Sequence, residues 1–253
     1  MKYAVSSLSR IGGRETNDDT ALTALKGDRA RVFVGDGLGA YAGGGKASRA
    51  AGEAVMDMSR RERMLSRERM EQGARAADAA VRAVQQRTGG NMKTTLVFLA
   101  AEGKQAMWMH IGDSRLYRFR DGKLLQQTRD HSVSQMAVML GEITPEQIRF
   151  HEDRNRILRA LGSDSGKPEI SEVTDLREGD SFLLCTDGFW EYVLEAEMEQ
   201  TLAQAETPED WLGSMEQLLK GRAKGDHDNY TAAALFCREG DKKPSLLARL
   251  FGA

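Results

Sequence analysis

The 253-residue chain has only two cysteines, four histidines and no long apolar run. Cys185 and Cys237 both lie in apolar stretches, which favours buried core thiols over a disulfide or a thiolate metal site. No apolar run approaches the ~20 residues of a membrane span, and the N-terminus lacks the apolar centre of a signal peptide. The net charge of −2 provides no global field for nucleic acid or a polybasic membrane contact. We therefore expect a cytoplasmic, soluble protein of one domain.

Periodicity divides the chain into strands and paired helices. Strands are predicted at 2–8, 20–36 with a turn at 26–28, 94–101, 105–111, 116–120, 123–126, 169–174, 181–186 and 230–237. Helices are predicted from 43 to about 58, and at 70–87, 132–161 with a break at 144–145, 189–204 and 207–221. Antiparallel strands interrupted by paired helical blocks indicate an α+β layered fold rather than regular βαβ alternation.

Two charged segments lie outside this pattern. The basic run at 60–69 is interpreted as a solvated connection between helices, with a docking patch as the alternative. The short amphipathic tail, 241–253, is predicted to form a terminal helix that packs on the body, with a partner-docking peptide as the alternative.

Carboxylates stand where predicted strands end or begin. Asp36 and Asp187 each follow an apolar strand and precede a glycine, Asp113 also follows a strand, and Asp228 comes directly before the last one. An isolated Asp-Gly pair usually marks a turn, but its repetition after buried strands favours a functional site. Carboxylates brought to one sheet edge repel one another unless a cation neutralises them. We therefore expect them to converge on a metal centre.

The donor types indicate which metal and which reaction. Oxygen ligands favour Mg²⁺, Mn²⁺ or Ca²⁺ over zinc or copper, and the histidines are scattered along the sequence without metal-ligand spacing. Two cations roughly 3.5–4 Å apart can share a carboxylate and a water, and the resulting hydroxide can attack phosphorus in line. The planar guanidinium of Arg14 suits bidentate phosphate binding and would neutralise the phosphoryl oxygens. The pattern predicts metal-assisted hydrolysis of a phosphate ester without a covalent enzyme intermediate.

Covalent alternatives are less well supported. Ser114 and Thr186 lack a histidine base in a recognisable context. The cysteine-phosphatase loop would require an arginine six positions after Cys185, and residue 191 is glutamate.

Eight motifs, in order and spacing, resemble the type 2C metal-dependent serine/threonine protein phosphatases, in particular their bacterial single-domain members. They are Arg14-x-x-x-Asp18-Asp19, Val34-Gly35-Asp36-Gly37-Leu38-Gly39, Thr94-Thr95-Leu96-Val97, Gly112-Asp113-Ser114-Arg115-Leu116-Tyr117, Asp130-His131-Ser132, Arg159-Ala160-Leu161-Gly162, Leu184-Cys185-Thr186-Asp187-Gly188 and Asp228-Asn229-Tyr230-Thr231. The resemblance runs from about residue 3 to 237. It implies a four-layer αββα sandwich of two antiparallel sheets flanked by helices, with a metal site at one edge, and a catalytic domain spanning 1–240.

The resemblance also implies a set of metal ligands. Asp36 would bridge two Mn²⁺ or Mg²⁺ ions in the active site, and Gly37 would contribute its backbone carbonyl. Asp187 and Asp228 would complete the coordination of the first metal. Asp36 and Asp187, with Arg14, are accordingly the expected catalytic residues.

Further roles follow from the remaining motifs. Asp18 would reach the second metal through water, with Asp19 beside it. Asp113, together with Asp187, matches a weaker third metal site. The segment 133–160 matches a flap that shapes protein-substrate access. Leu38 stands where some members carry a histidine general acid, so protonation of the leaving group is assigned to metal-bound water.

The predicted function is hydrolysis of phosphoserine and phosphothreonine in proteins. The expected partners are phosphorylated protein substrates and a cognate serine/threonine kinase system, and the expected state is a monomer. One alternative is a catalytically weak, phosphoprotein-binding or regulatory pseudophosphatase of the same fold. Another is a metal-dependent nuclease or other phosphodiesterase, against which the lack of a basic, aromatic-interleaved surface argues.

Overall fold

The computed structural model describes residues 1–39 and 43–239. The predicted tail helix, 241–253, lies outside the described residues. None of the helices in the described part of the chain combines the length and the apolar character needed to cross a bilayer.

The secondary structure alternates strand-rich and helical blocks. The strands are β1 Lys2–Arg10, β2 Thr20–Lys26, β3 Arg29–Gly35, β4 Gly37–Leu38, β5 Lys93–Thr94, β6 Leu96–Glu102, β7 Gln105–Ile111, β8 Arg115–Arg120, β9 Lys123–Gln127, β10 Glu169–Ile170, β11 Thr174–Asp175, β12 Ser181–Cys185 and β13 Tyr230–Arg238. The helices are α1 Gly43–Arg61, α2 Arg67–Thr88, α3 Val133–Met139, a 3-10 helix at Pro145–Phe150, α4 Asp187–Trp190, α5 Glu195–Leu202 and α6 Pro208–Arg222.

These elements form the predicted αββα sandwich. One sheet has the order β1-β13-β12-β8-β9 and the other β10-β7-β6-β3-β2, and their strand pairs are antiparallel. Strand β3 shows why the layers form: Val32 and Val34 pack into the core between the sheets, whereas Phe33 packs beneath α1 and α2. Trp211 of α6 lies in a third cluster, against the outer face of the other sheet. The α+β prediction is confirmed.

Antiparallel pairing places the acidic strand ends at one edge. The last residue of β1, Arg10, pairs with Tyr230 at the start of β13, and Cys185 at the end of β12 pairs with Arg115 at the start of β8. A strand that ends at this edge therefore lies beside one that begins there. This register explains how Asp187, which follows a strand, can approach Asp228, which precedes one.

Some predicted elements were wrong in extent. Residues 132–161 were predicted to be helical, but helix α3 ends at Met139 and only a 3-10 helix follows. Gly141 adopts a positive φ of 76° just after α3, and residues 151–161 contain no helix. The segment is held by tertiary contacts, which a periodicity reading does not detect.

Two further elements are shorter than predicted. The strand predicted at 169–174 is two short strands, β10 and β11, that both pair with β7. The helix predicted at 189–204 is interrupted between α4 and α5, where Val193 is fully buried and Leu194 adopts an extended backbone. Burial of one apolar side chain at this break overrides local helix propensity.

The charged run at 60–69 connects α1 and α2, as predicted. Ser66 caps α2 by accepting a hydrogen bond from the Arg69 N–H. Arg60 pairs with Asp57, and Arg69 pairs with Glu62. Both cysteines are buried and free, which confirms their interpretation as core thiols.

Candidate active site

A cleft of about 380 Å³ opens at the sheet edge where the acidic residues converge. Its lining comprises Arg14, Glu15, Thr16, Asp18, Asp36, Gly37, Leu38, Gly39, Asp113, Asn155, Ile157, Asp187, Asp228 and Asn229. The structure thus brings together every residue of the predicted site except Asp19, which lies buried behind the cleft. The Thr186 hydroxyl donates to Asp19 Oδ2 at 2.9 Å.

Asp36 is held at the end of β3 by a pair of threonines. The Asp36 N–H donates to Thr95 Oγ1 at 2.8 Å, and its carbonyl accepts from Thr94 Oγ1 and from the Thr95 N–H at 2.8 and 2.9 Å. The Thr95 hydroxyl also bonds Ser114 Oγ at 2.7 Å. Lys93 pairs with Leu38 in the small β4–β5 ladder. Both backbone polar groups of Asp36 are therefore satisfied, and its carboxylate is free for the cleft.

The glycines of the two Asp-Gly pairs permit close backbone approach. A Cβ on Gly188 would lie 2.0 Å from the carbonyl oxygen of Asn229, and a Cβ on Gly37 would lie 2.1 Å from that of Gly44. Any side chain at Gly188 would force α4 away from β13, and with it Asp187 away from Asp228. These pairs are sites of backbone contact rather than hairpin turns.

Asn229 organises the N-terminal side of the cleft. Its side-chain amide donates to the carbonyls of Ile11 and Thr16 at 2.7 and 2.8 Å, and its side-chain oxygen accepts from the Asp18 N–H at 2.8 Å. Asp18 Oδ1 in turn accepts from the Gly45 N–H in the first turn of α1. One buried amide therefore holds the loop that carries Arg14 and Asp18.

Arg14 and Asp228 form an ion pair at the rim. Arg14 Nε and Nη2 donate to the two carboxylate oxygens of Asp228 at 3.0 and 2.9 Å, and both side chains are about half exposed. This fork uses two of the five guanidinium N–H donors, which leaves three for an anion in the cleft. The pairing with Asp228 raises the pKa of Arg14, so the group stays charged.

Asp113 is the most deeply buried carboxylate among the described residues of the cleft. It is 1% exposed, and neither carboxylate oxygen has a hydrogen-bond partner among the described residues. Its backbone carbonyl accepts from Trp190 Nε1 at 3.0 Å. The Trp190 ring lies 3.4 Å beneath the Arg115 guanidinium, which also makes two 2.8 Å bonds to Asp130. The backbone of Asp113 is thus fixed by Trp190, which packs on the Arg115–Asp130 pair, while its carboxylate oxygens make no hydrogen bond within the described residues.

Burial and mutual repulsion raise the pKa values of the clustered carboxyl groups. Desolvation is the largest cause for each, and it raises the pKa of Asp19 and of Asp113 to about 7. The pKa values of Asp36 and Asp187 lie well above their ordinary range, and the next cause is a neighbouring carboxylate, Asp187 for Asp36 and Asp113 for Asp187. These carboxyl groups therefore bind protons more tightly than usual, because burial and neighbouring negative charges disfavour their ionised form.

This donor set fits hard divalent cations. The cleft offers carboxylate oxygens without neutral nitrogen or thiolate donors, and the buried oxygens of Asp113 lack partners that a cation would replace. A bound cation would also stabilise the ionised carboxylates against their desolvation cost.

The histidines are not all scattered in space, contrary to the sequence interpretation. His110 and His131 stack with ring centroids 4.9 Å apart, and His131 Nε2 lies 3.3 Å from Glu169 Oε1. Ligand atoms of these three side chains lie within 4.8 Å of one another. However, His131 Nδ1 accepts from the Gly112 N–H, which places the proton of the neutral ring on Nε2, the atom that faces Glu169. This tautomer opposes metal binding there.

Several site residues were not assigned a role from the sequence. Thr94, Thr95 and Asn229 belong to the quoted motifs, but their contacts to Asp36 and to the N-terminal loop were not predicted. Asn155 and Ile157 line the cleft from the irregular part of the flap segment, 133–160. No local pattern marks these two residues, because only tertiary packing brings them to the cleft.

The fold and the cleft together define an αββα-sandwich protein with a hard-cation site at its edge. The Protein phosphatase 2C family model matches residues 8–226. The chain therefore belongs to the protein phosphatase 2C family.

Individual relatives agree with this assignment. The chain is 31% identical over 236 residues to the serine/threonine protein phosphatase PstP of Mycobacterium tuberculosis, covering 91% of this chain and 44% of PstP. It thus spans less than half of that relative's length. It is 31% identical over 227 residues to the serine/threonine phosphatase stp of Listeria monocytogenes, covering 86% and 89% of the two chains. The solved PstP catalytic domain in complex with two manganese ions matches with a TM-score of 0.80 at 29% identity, covering 94% and 99%.

Proposed function

We propose that this protein hydrolyses phosphoserine and phosphothreonine in phosphorylated proteins, with two Mn²⁺ or Mg²⁺ ions per active site and a weaker third. The observation that carries the proposal is the cluster of carboxylates in the cleft below the half-exposed Arg14, in which Asp113 is buried without a hydrogen-bond partner among the described residues. Membership of the phosphatase 2C family and the two manganese ions in the PstP catalytic domain support it.

The family resemblance implies which residues would hold the cations, and all of them except Asp19 line the cleft. Asp36 would bridge the two main ions, and the Gly37 carbonyl, Asp187 and Asp228 would complete the set. Asp18 would act through water with Asp19 behind it, and Asp113 with Asp187 would hold the weaker third ion. When bound, the cations activate water as the nucleophile and neutralise charge on the phosphoryl group.

The chain's own residues would bind and orient the phosphate ester. Arg14 lines the cleft, and the N–H donors that it does not use toward Asp228 would bind the phosphoryl oxygens. Thr94 and Thr95 keep the Asp36 backbone in place, so that its carboxylate needs no reorganisation when the substrate enters. Leu38 lines the cleft, and its side chain has no acidic proton to donate. The leaving group would therefore be protonated by water.

The expected partners are phosphorylated protein substrates and a cognate serine/threonine kinase system that would supply them. The expected oligomeric state is a monomer.

The test measures phosphate release from phosphothreonine and phosphotyrosine peptides with Mn²⁺, with Mg²⁺ and with EDTA. We expect metal-dependent release that is faster from phosphothreonine and lost with EDTA. No release despite calorimetrically measured Mn²⁺ binding would overturn the proposal and favour a phosphoprotein-binding role instead.

A further inference from the structure

A second cavity, of about 490 Å³, lies beside the catalytic cleft. It runs between the end of the 3-10 helix and the break that separates α4 from α5, and we name it the flap groove. Its apolar lining comes from Phe150, Tyr192 and Leu194. Phe150 is 82% exposed and Leu194 is 42% exposed. Side chains of this size are rarely left in water at adjoining positions without a partner.

The charged groups of the flap groove are already paired. Arg154 Nε donates to Glu191 at 3.0 Å, and Arg149 Nη2 donates to Glu195 at 2.6 Å. The third arginine of the lining, Arg222, donates to Glu197 Oε2 and to the Tyr192 carbonyl, both at 2.6 Å. The groove therefore offers apolar surface between neutralised ion pairs, and its chemistry suits an apolar side chain better than a second phosphate.

Exposed apolar residues concentrate on the flap segment, 133–160. Of the ten large apolar side chains exposed in the described residues, five belong to this segment, namely Met136, Met139, Leu140, Phe150 and Leu158. The same segment is anchored from beneath by Ile148, which is 3% exposed. A segment that is anchored on one face and apolar on its outer face is typical of a protein-contact surface.

The flap groove adjoins the catalytic cleft. Arg154 lines the groove, and the next residue, Asn155, lines the cleft. On the opposite wall, Glu191 lines the groove, and its N–H donates to the carbonyl of Asp187 at 2.9 Å. A polypeptide with its phosphorylated residue in the cleft would therefore pass its neighbouring residues along the groove.

We propose that the flap groove binds an apolar side chain of the substrate protein close to the phosphorylated residue, and so selects among phosphoproteins. This inference rests on the proposed phosphatase function. The phosphoryl group would be bound by Arg14 in the cleft, whereas Phe150 and Leu194 would enclose the neighbouring apolar side chain.

The experiment compares phosphothreonine peptides in which one leucine is moved through the flanking positions of a Gly/Ser background, with p-nitrophenyl phosphate as the small substrate. We expect a leucine at one favoured position to raise kcat/KM about 10-fold, the factor that one buried apolar side chain supplies. Phe150→Ala and Leu194→Ala should each reduce this preference severalfold. Leu125→Ala, at a 52% exposed site on β9, is the matched control and should retain it.

The outcomes separate the two proposals. The groove proposal would be overturned by metal-dependent turnover without any leucine preference, or by a preference that survives both substitutions. Either result would leave the proposed phosphatase function unaffected. Absence of turnover on every substrate would overturn both. Equal thermal unfolding midpoints for wild type, Phe150→Ala and Leu125→Ala would show that any lost preference comes from the groove rather than from unfolding.

Discussion

The floor of the catalytic cleft and the flap beside it are built in opposite ways. The floor carboxylates Asp36, Asp113 and Asp187 sit at strand ends and are held through their backbones. Asp113 is 1% exposed, and the other two are partly buried. The flap segment consists of α3, the 3-10 helix and irregular backbone, exposes apolar side chains, and is joined to the body by ion pairs such as Arg154–Glu191.

Under the proposed function, the difference separates the chemical step, at the floor, from substrate selection, at the flap. Strand register positions the floor within a rigid sandwich, at the cost of concentrating like charge. Attachment through side chains lets the flap vary in sequence and shape without disturbing that register. We therefore expect substitutions in the floor to affect turnover or metal-free stability strongly, and substitutions in the flap to affect substrate preference modestly.

The largest effect is expected from Asp187→Asn. Loss of this floor carboxylate should weaken metal binding and lower kcat by about 10³-fold or more, because the charge that holds the cation is removed. Steady-state kinetics with Mn²⁺ and calorimetric Mn²⁺ titration measure the two effects. Asp164→Asn, at a fully exposed position, is the control. Near-normal kcat in Asp187→Asn would show that the floor is misassigned.

At the rim, Arg14→Ala should mainly raise KM, by about 10-fold, because phosphate binding shared by the ground and transition states is lost. Removal of Arg14 also frees the carboxylate of Asp228, so kcat should change less than KM. Arg10→Ala, which removes a half-exposed arginine paired with Glu216, controls for general loss of positive charge. An unchanged KM would place the phosphate away from Arg14.

Asp113→Asn should stabilise the metal-free protein at pH 8, the reverse of the usual effect of a core substitution. Burial raises the pKa of Asp113 to about 7 in the folded chain, against about 3.9 when unfolded. Between these values the folded chain retains a proton that the unfolded chain has lost, so stability falls as the pH rises toward 7. Asparagine does not ionise and avoids this loss.

The expected gain for Asp113→Asn is about 1–3 kcal/mol in the free energy of unfolding at pH 8, and less at pH 5. Denaturant unfolding in EDTA at both pH values measures it. A variant less stable than wild type at pH 8 would show that the Asp113 carboxylate is satisfied in the metal-free protein.

The smallest effect is expected from breaking the ion pair between Arg154 of the flap and Glu191. Arg154→Ala should cost less than about 1 kcal/mol of stability, since the ion pair is partly exposed. It should lower kcat/KM on phosphopeptides severalfold through a less ordered Asn155. Arg156→Ala, which breaks only an exposed pair with Asp153, is the matched control. Identical behaviour of the two variants would contradict an anchoring role for Arg154.

The convergence of the carboxylates was predictable because it depends on strand periodicity. Apolar runs before Asp36 and Asp187 and after Asp228 identify buried strands, and antiparallel neighbours must bring their ends to a common edge. The sequence shows that a glycine follows both Asp36 and Asp187. Only the structure shows why, because the two glycines closely approach the backbone of Gly44 and Asn229.

The chain's sequence by itself determined the layered α+β fold, the acidic edge and an oxygen donor set that fits hard cations, because these depend on local periodicity and on residue type. Tertiary structure alone decided how the site is supported and bordered. Trp190 reaches Asp113 across 77 positions of sequence, and the His110–His131 stack forms between residues that appeared scattered. The helical pattern of the flap is realised only in α3 and the 3-10 helix, and ion pairs and a few buried side chains hold the rest. Only packing therefore reveals the groove that the flap forms beside the cleft.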